Sequence, residues 1–346
     1  MKSPAYIFLI PLAFAGALLS PHAQAQTAAN EYHVAQIFHP GGEGGWDYLT
    51  VDAQNHLLYV PRVTHTQVLD ATNGHVVADI SGQEHNHGVA IATRAGRGFI
   101  SDGADGTVVI FDLKTYQVLG KIKAEADADG IIYDSASDKI LLVCGDAGVL
   151  VPISPNIDPQ TGSADPEVDL GGKPEFLAVD GKGKAFVNLT DKDLVAVVDT
   201  KTMKVIAKWP TAPGGAPVGM SIDQSKGRIF VGCRKPQKLI VMSTDDGKIL
   251  ADLPIGAGVD ATGFSGDAFA SCRDGTLTVV RETTPGKFEV AQTVSIALGA
   301  RTMGLDPETR TLYLPTAEFG PAAENKRPAP KPGTFMVVVV NASSGH

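Results

Sequence analysis

"GKAFVNLTDKDLVAVVDTKTMKVIAKW", residues 183–209, is the stretch that decides the fold. "KAFVNL" and "LVAVV" are short apolar runs rich in β-branched residues, separated by the polar break "TDKD". Runs this short, bounded by turn residues, read as strands, because a helix needs a longer segment with 3.6-residue periodicity. "DTKT" supplies a second tight turn, and "MKVIAKW" then alternates apolar with polar, as a strand with one wet face does. The stretch therefore predicts three consecutive antiparallel strands: one from Lys184, one over residues 194–198 and one over 203–209.

Working outward, a fourth strand, "PEFLAVD" from Pro174, precedes the three, and it recurs. Its counterparts are "WDYLTVD" from Trp46, "NHGVAIA" from Asn86, "ADGIIYD" from Ala128, "PVGMSID" from Pro217, "VDATGFS" from Val259 and "ARTMGLD" from Ala300. Successive starts lie 40, 42, 46, 43, 42 and 41 residues apart. A period of this length with four strands per unit is that of a β-propeller blade, a sheet too small to hide both faces until it stacks on neighbours. The reading is an all-β chain forming a seven-bladed β-propeller of four-stranded blades. The last unit ends at "TFMVVVV" with no fourth strand, while "EYHVAQIF", residues 31–38, precedes the first unit without a partner. The expectation is that this N-terminal strand closes the ring as the outer strand of blade seven.

"LLYVPR", "VVIFDLKT", "VAVVDTKTMKVIAKW" and "PVGMSIDQSKGRIFVG" resemble the repeats of the YVTN, or YncE-like, family of secreted bacterial β-propellers. The resemblance covers nearly the whole chain beyond its first 25 residues. It implies fold and export, but the repeat carries no catalytic motif, so it implies no activity and no site residue.

The chain opens "MKSPAYIFLIPLAFAGALLSPHAQAQ", with one Lys, an apolar run and the small-residue site Ala23-Gln24-Ala25. This reads as a secretory signal peptide over residues 1–25, leaving 26–346 as one propeller domain that is periplasmic or secreted. No other segment is long and apolar enough to suggest a transmembrane anchor. A formal charge of −9 and few aromatic residues disfavour nucleic acid as a partner. Cys144, Cys233 and Cys272 fall at equivalent strand ends in blades three, five and six. Face-to-face sheets lie about 10 Å apart, beyond disulfide reach, so they are expected as unbridged packing residues.

The turns after the first strands, such as "AQNH" and "GKGK", are short and interchangeable; the opposite rim carries irregular pieces. These include "GGEGGW", "EHNH", "RVTHT", "CRKPQK", "CRDG" and a Pro-rich insertion over residues 317–332, expected as a lid, a docking segment or a plain loop. Function concentrates on variable loops, which places the site on that rim. "GGEGGW" is no phosphate cradle, since no helix follows it; its glycines bend the chain into the channel mouth and deliver Trp46 and Asp47.

The second residue of each first strand forms a ring: Asp47, His87, Asp129, Glu175, Val218, Asp260 and Arg301. Asp47, Asp129, Glu175 and Asp260 are candidate ligands for Ca²⁺ or another divalent metal such as Mn²⁺. The alternative is a water-filled polar channel in which Arg301 neutralises part of the charge. Around it, Arg62, His65, Arg234, Lys235, Arg273 and Glu318 follow the second strands. This ring suits a small anionic ligand, or else makes rim ion pairs with Asp102, Asp191 and Asp274. His85 and His87 share a strand face if the strand has begun, and Trp46 either stacks on a sugar or plugs the contact between the first and last blades. The function expected is a ligand-binding or protein-interaction module at the channel face. Its alternative is a metal-dependent hydrolase or lyase for a lactone or sugar acid, with His87 as acid or base and Arg301 as substrate clamp.

Overall fold

A computed structural model describes Met1 and residues 31–321 and 328–343. The signal peptide expected over residues 1–25 lies outside the described residues beyond Met1, as does the centre of the 317–332 insertion. Seven four-stranded antiparallel sheets form the ring, and six of them are built from strands consecutive in sequence. In blade four these are Pro174–Val179, Lys184–Leu189, Leu194–Asp199 and Lys204–Pro210, within a residue or two of the sequence expectation. The "DTKT" turn is held by Asp199, whose Oδ1 accepts the peptide N–H groups of Lys201 and Thr202 at 3.0 and 2.7 Å. Asp112 performs the same task in blade two, for Lys114 and Thr115. Asp favours such turns because its short side chain bonds the backbone two or three residues on.

The seventh sheet has the order predicted for a closed ring. Tyr32–Phe38 pairs antiparallel with Met336–Ala342, which pairs with Leu312–Thr316 and then Gly304–Leu305. The N-terminal strand is fixed on its far side too: Tyr32 exchanges two backbone hydrogen bonds with the Gln292 side chain of blade six, at 2.8 and 2.7 Å. Its ring meets Phe269 edge-on at 5.0 Å.

The core is divided among the blade interfaces, with a buried apolar cluster between every neighbouring pair. Each sheet thus buries both faces, which is why inner strands such as "LVAVV" are continuously apolar. The three cysteines are unbridged and buried, as expected. Burial pushes each thiol up to about 12, which disfavours the free thiolate at neutral pH. No helix among the described residues is long and apolar enough to cross a membrane.

One backbone irregularity recurs where it matters. In blades two to six the register between first and second strands slips across the second residue: at Asn86/Val89, Ala128/Ile131, Pro174/Leu177, Pro217/Gly219 and Val259/Ala261. Such bulges bend a strand and re-aim a side chain. They fall on His87, Asp129, Glu175, Val218 and Asp260, the ring positions of those blades.

Candidate ligand site at the channel mouth

The glycine loop ahead of blade one is a cradle after all, but for a cation. Gly41, Gly42 and Gly44 take positive φ values of 68, 84 and 96°, a backbone that turns their carbonyls inward. The Arg62 guanidinium fills the space: Nε donates to Gly45 O at 2.9 Å, Nη1 to Gly41 O at 2.9 Å, and Nη2 to Gly42 O and Gly44 O at 3.2 Å each. Gln67 Oε1 accepts from Nη1 at 2.5 Å, and the guanidinium lies 3.6 Å from the centre of the Phe335 ring. Arg62 is 0% exposed. Its sequence placement as a rim ligand group is therefore corrected: the loop carbonyls consume its donors. Burial lowers its pKa to about 10, against the opposing charges of Asp79 and Glu43. Trp46 packs on Phe319 and Phe335, ring centres 6.2 and 5.9 Å away, which is the plug position between the first and last blades.

Past this lock the chain reaches Asp47. His87 Nδ1 lies 2.8 Å from Asp47 Oδ2 and 3.5 Å from Asp129 Oδ1, so three consecutive blades converge. Behind it, His87 Nε2 is 3.1 Å from His85 Nδ1 and the two rings meet edge-on. A β-carbon on Gly103 would stand 2.8 Å from His87 Nε2, so only glycine leaves that ring its place. Burial draws the His87 pKa down, but the Asp47 hydrogen bond and the Asp129 and Asp47 charges outweigh it and push it up to about 9. Asp129 is driven well above the usual carboxylate range, by burial first and then by Asp47 and Glu175, with His87 opposing. Glu175 is raised by burial and Asp47 against relief from Arg234. This side of the mouth holds more negative charge than its fixed cations relieve.

The opposite side is basic and paired. Asp260, its side chain 2% exposed, receives Arg234 Nη2 on Oδ1 and Arg301 Nη1 on Oδ2, so it does not join the Asp47–His87–Asp129 group. Arg234 Nε also donates to Val259 O at 3.0 Å, and Arg301 Nη1 is 3.8 Å from Asp47 Oδ1. The two guanidinium side chains stay 36% and 22% exposed. His65 faces Asp79 at 3.8 Å, and the backbone of Arg273 ties the Gly258 and Gly299 loops. Asp102, Asp191 and Asp274 accept loop N–H groups, from His85, Lys173 and Ala257.

Sequence reading missed the floor of the site. Tyr48 of blade one stacks on Phe176 of blade four, ring centres 4.4 Å apart, and its hydroxyl donates to Asp260 O of blade six at 3.3 Å. A side chain of blade one that reaches blades four and six spans the channel. Below it lies a cavity of about 310 Å³ walled by residues such as Leu49, Val89, Ile91, Ile131 and Met303, and none of the charged mouth residues lines it. The signal was present: the third residue of each first strand is Tyr48, Gly88, Gly130, Phe176, Gly219, Ala261 or Thr302. Two aromatics stand where the other blades carry small side chains.

No family model and no curated protein matches the sequence. Among solved structures, Kuenenia stuttgartiensis hydrazine synthase is similar at TM-score 0.67 and 12% identity, over 79% of this chain and 92% of that one. A crystal structure of a mitotic checkpoint complex is similar at TM-score 0.71 and 11% identity, over 99% of both chains. At such identities the likeness shows the propeller fold and carries no residue role across.

Proposed function

We propose that this chain is an exported binding propeller, whose channel mouth takes a small anionic ligand such as a sugar acid and holds it above the Tyr48–Phe176 septum. The observation that carries the reading is the convergence of Arg234 and Arg301 on the buried Asp260 at the rim of a channel spanned from below. Asp260 fixes both guanidinium groups, and each keeps N–H donors that no described residue takes. A carboxylate is the group such paired forks recognise best. Export is supported by the apolar run and Ala23-Gln24-Ala25 site, together with the resemblance to secreted YVTN propellers. The architecture is also a common protein-interaction scaffold, and a partner's exposed carboxylate would meet the same donors.

The test is calorimetric titration with gluconate, glucuronate and citrate at low salt. Saturable binding that Arg301→Ala weakens supports the reading; no saturable heat with any of the three overturns it.

A further inference from the structure

Beside the arginines, the acidic side of the mouth has no role in holding an anion and would repel one. We propose that Asp47, His87 and Asp129 form a divalent transition-metal site, of the Zn²⁺ or Mn²⁺ type, whose open positions face the anionic group of the ligand. The second half of this inference rests on the mouth being the ligand site; the first half stands on geometry alone.

One ligand atom from each of the three residues can be chosen so that all lie within 4.8 Å of one another, the spread a single ion spans. The donors come from three consecutive blades, His87 and Asp129 from bulged strands and Asp47 from the strut locked by Arg62. A second observation favours a cation here. Asp47 Oδ1 and Asp129 Oδ1 are sealed from solvent and accept no hydrogen bond from any described residue; the nearest cationic groups, Arg301 Nη1 at 3.8 Å and His87 Nδ1 at 3.5 Å, face them without hydrogen-bond geometry. Buried carboxylate oxygens are ordinarily satisfied, and each left bare is costly.

The donor set selects the ion. An imidazole nitrogen among carboxylates suits Zn²⁺ or Mn²⁺, whereas Ca²⁺ prefers an all-oxygen shell, so the Ca²⁺ expected from four carboxylates gives way. Asp260 is committed to its two arginines, which leaves three protein donors and open coordination positions. The surroundings resemble the outer shell of a metal centre: His85 stands behind the far nitrogen of His87, and the Thr302 hydroxyl donates to Asp47 O at 3.0 Å. Binding would displace the proton on His87 Nδ1 and leave the lone pair to the metal.

The experiment uses tag-free, full-length processed protein, stripped with chelator and titrated separately with Zn²⁺, Mn²⁺ and Ca²⁺. The expected result is one site per chain for Zn²⁺ or Mn²⁺, with a rise in melting temperature, and no matching response to Ca²⁺. Asp129→Asn and His87→Gln, which remove one ligand atom each, should each weaken binding about 10-fold or more. Absence of a stoichiometric site, or one indifferent to both substitutions, overturns the inference. Anion binding that survives the chelator unaltered overturns its second half, that the metal faces the ligand, yet spares the mouth reading. Metal binding without anion binding upholds the metal site and overturns the mouth reading instead.

Discussion

The guanidinium of Arg62, from blade one, lies over the ring of Phe335, from blade seven, 3.6 Å from its centre. This contact joins the two ends of the ring beside the strand that closes it, and the glycine carbonyls wrapped round the same cation set the path of the chain into Asp47. Ring closure and the position of one mouth residue are thus a single structural problem.

Replacing Arg62 is therefore expected to act on stability and on the mouth together. Arg62→Ala strands four loop carbonyls and the Gln67 amide, and should destabilise by about 3 kcal/mol or more in a urea titration. Arg62→Lys keeps a charge but loses the fork and the stack, and should recover only part of the loss. A surface-like effect below about 0.5 kcal/mol for Arg62→Ala would contradict the cage.

Removal of residues 26–39 deletes the strand Tyr32–Phe38, exposing the edge of Met336–Ala342 and the Phe269 contact. The melting temperature should fall sharply in a calorimetric scan. An unchanged transition would show that closure does not depend on this strand.

The septum is expected to behave as one unit. Phe176→Ala and Tyr48→Ala remove the two halves of one stack, so their stability losses should fail to add, by about 0.5–1.5 kcal/mol in a double-mutant cycle. Additive losses would mean that the rings do not support each other.

At the far rim, Glu282 bonds Lys226 Nζ at 2.6 Å, Arg228 Nη1 at 2.7 Å and the Gly286 N–H at 2.6 Å. Burial alone would raise its pKa, but these donors outweigh it and lower it from 4.5 to about 2. A carboxylate depressed on folding stabilises the native state above its unfolded pKa and loses that contribution as pH falls through its folded pKa. The contribution should be complete above about pH 5 and vanish toward pH 2, worth on the order of 1 kcal/mol for a pair at the surface. Glu282→Gln should flatten the acid limb of stability against pH by that amount; an identical slope in both proteins would remove the assignment.

Much of this architecture was legible in the residues. Each blade repeats the same strand–turn grammar, so the copy number, the orphan strand at residues 31–38 and the ring of second-position residues followed from spacing. What failed did so for physical reasons. Arg62 stands at the end of a second strand, as Arg234 does, but periodicity says nothing of a loop arriving from elsewhere to swallow its charge. Asp260 was grouped with the other carboxylates because a ring position gives no view of which neighbours reach across; two long arginines do. The bulges that turn His87 and Asp129 inward are one-residue slips of backbone register, invisible to an alternating pattern. Tyr48 and Phe176 were readable as exceptions in a column of small residues, a comparison that needed the blades aligned one residue deeper.

The most direct measurement is a crystal of the stripped protein soaked with gluconate and Zn²⁺, with anomalous data collected on either side of the zinc edge. The account predicts an anomalous peak among Asp47 Oδ1, His87 Nδ1 and Asp129 Oδ1, with the sugar-acid carboxylate between that peak and the guanidinium groups of Arg234 and Arg301. Clear density for these side chains with no peak among them and no ligand above Tyr48 would contradict it.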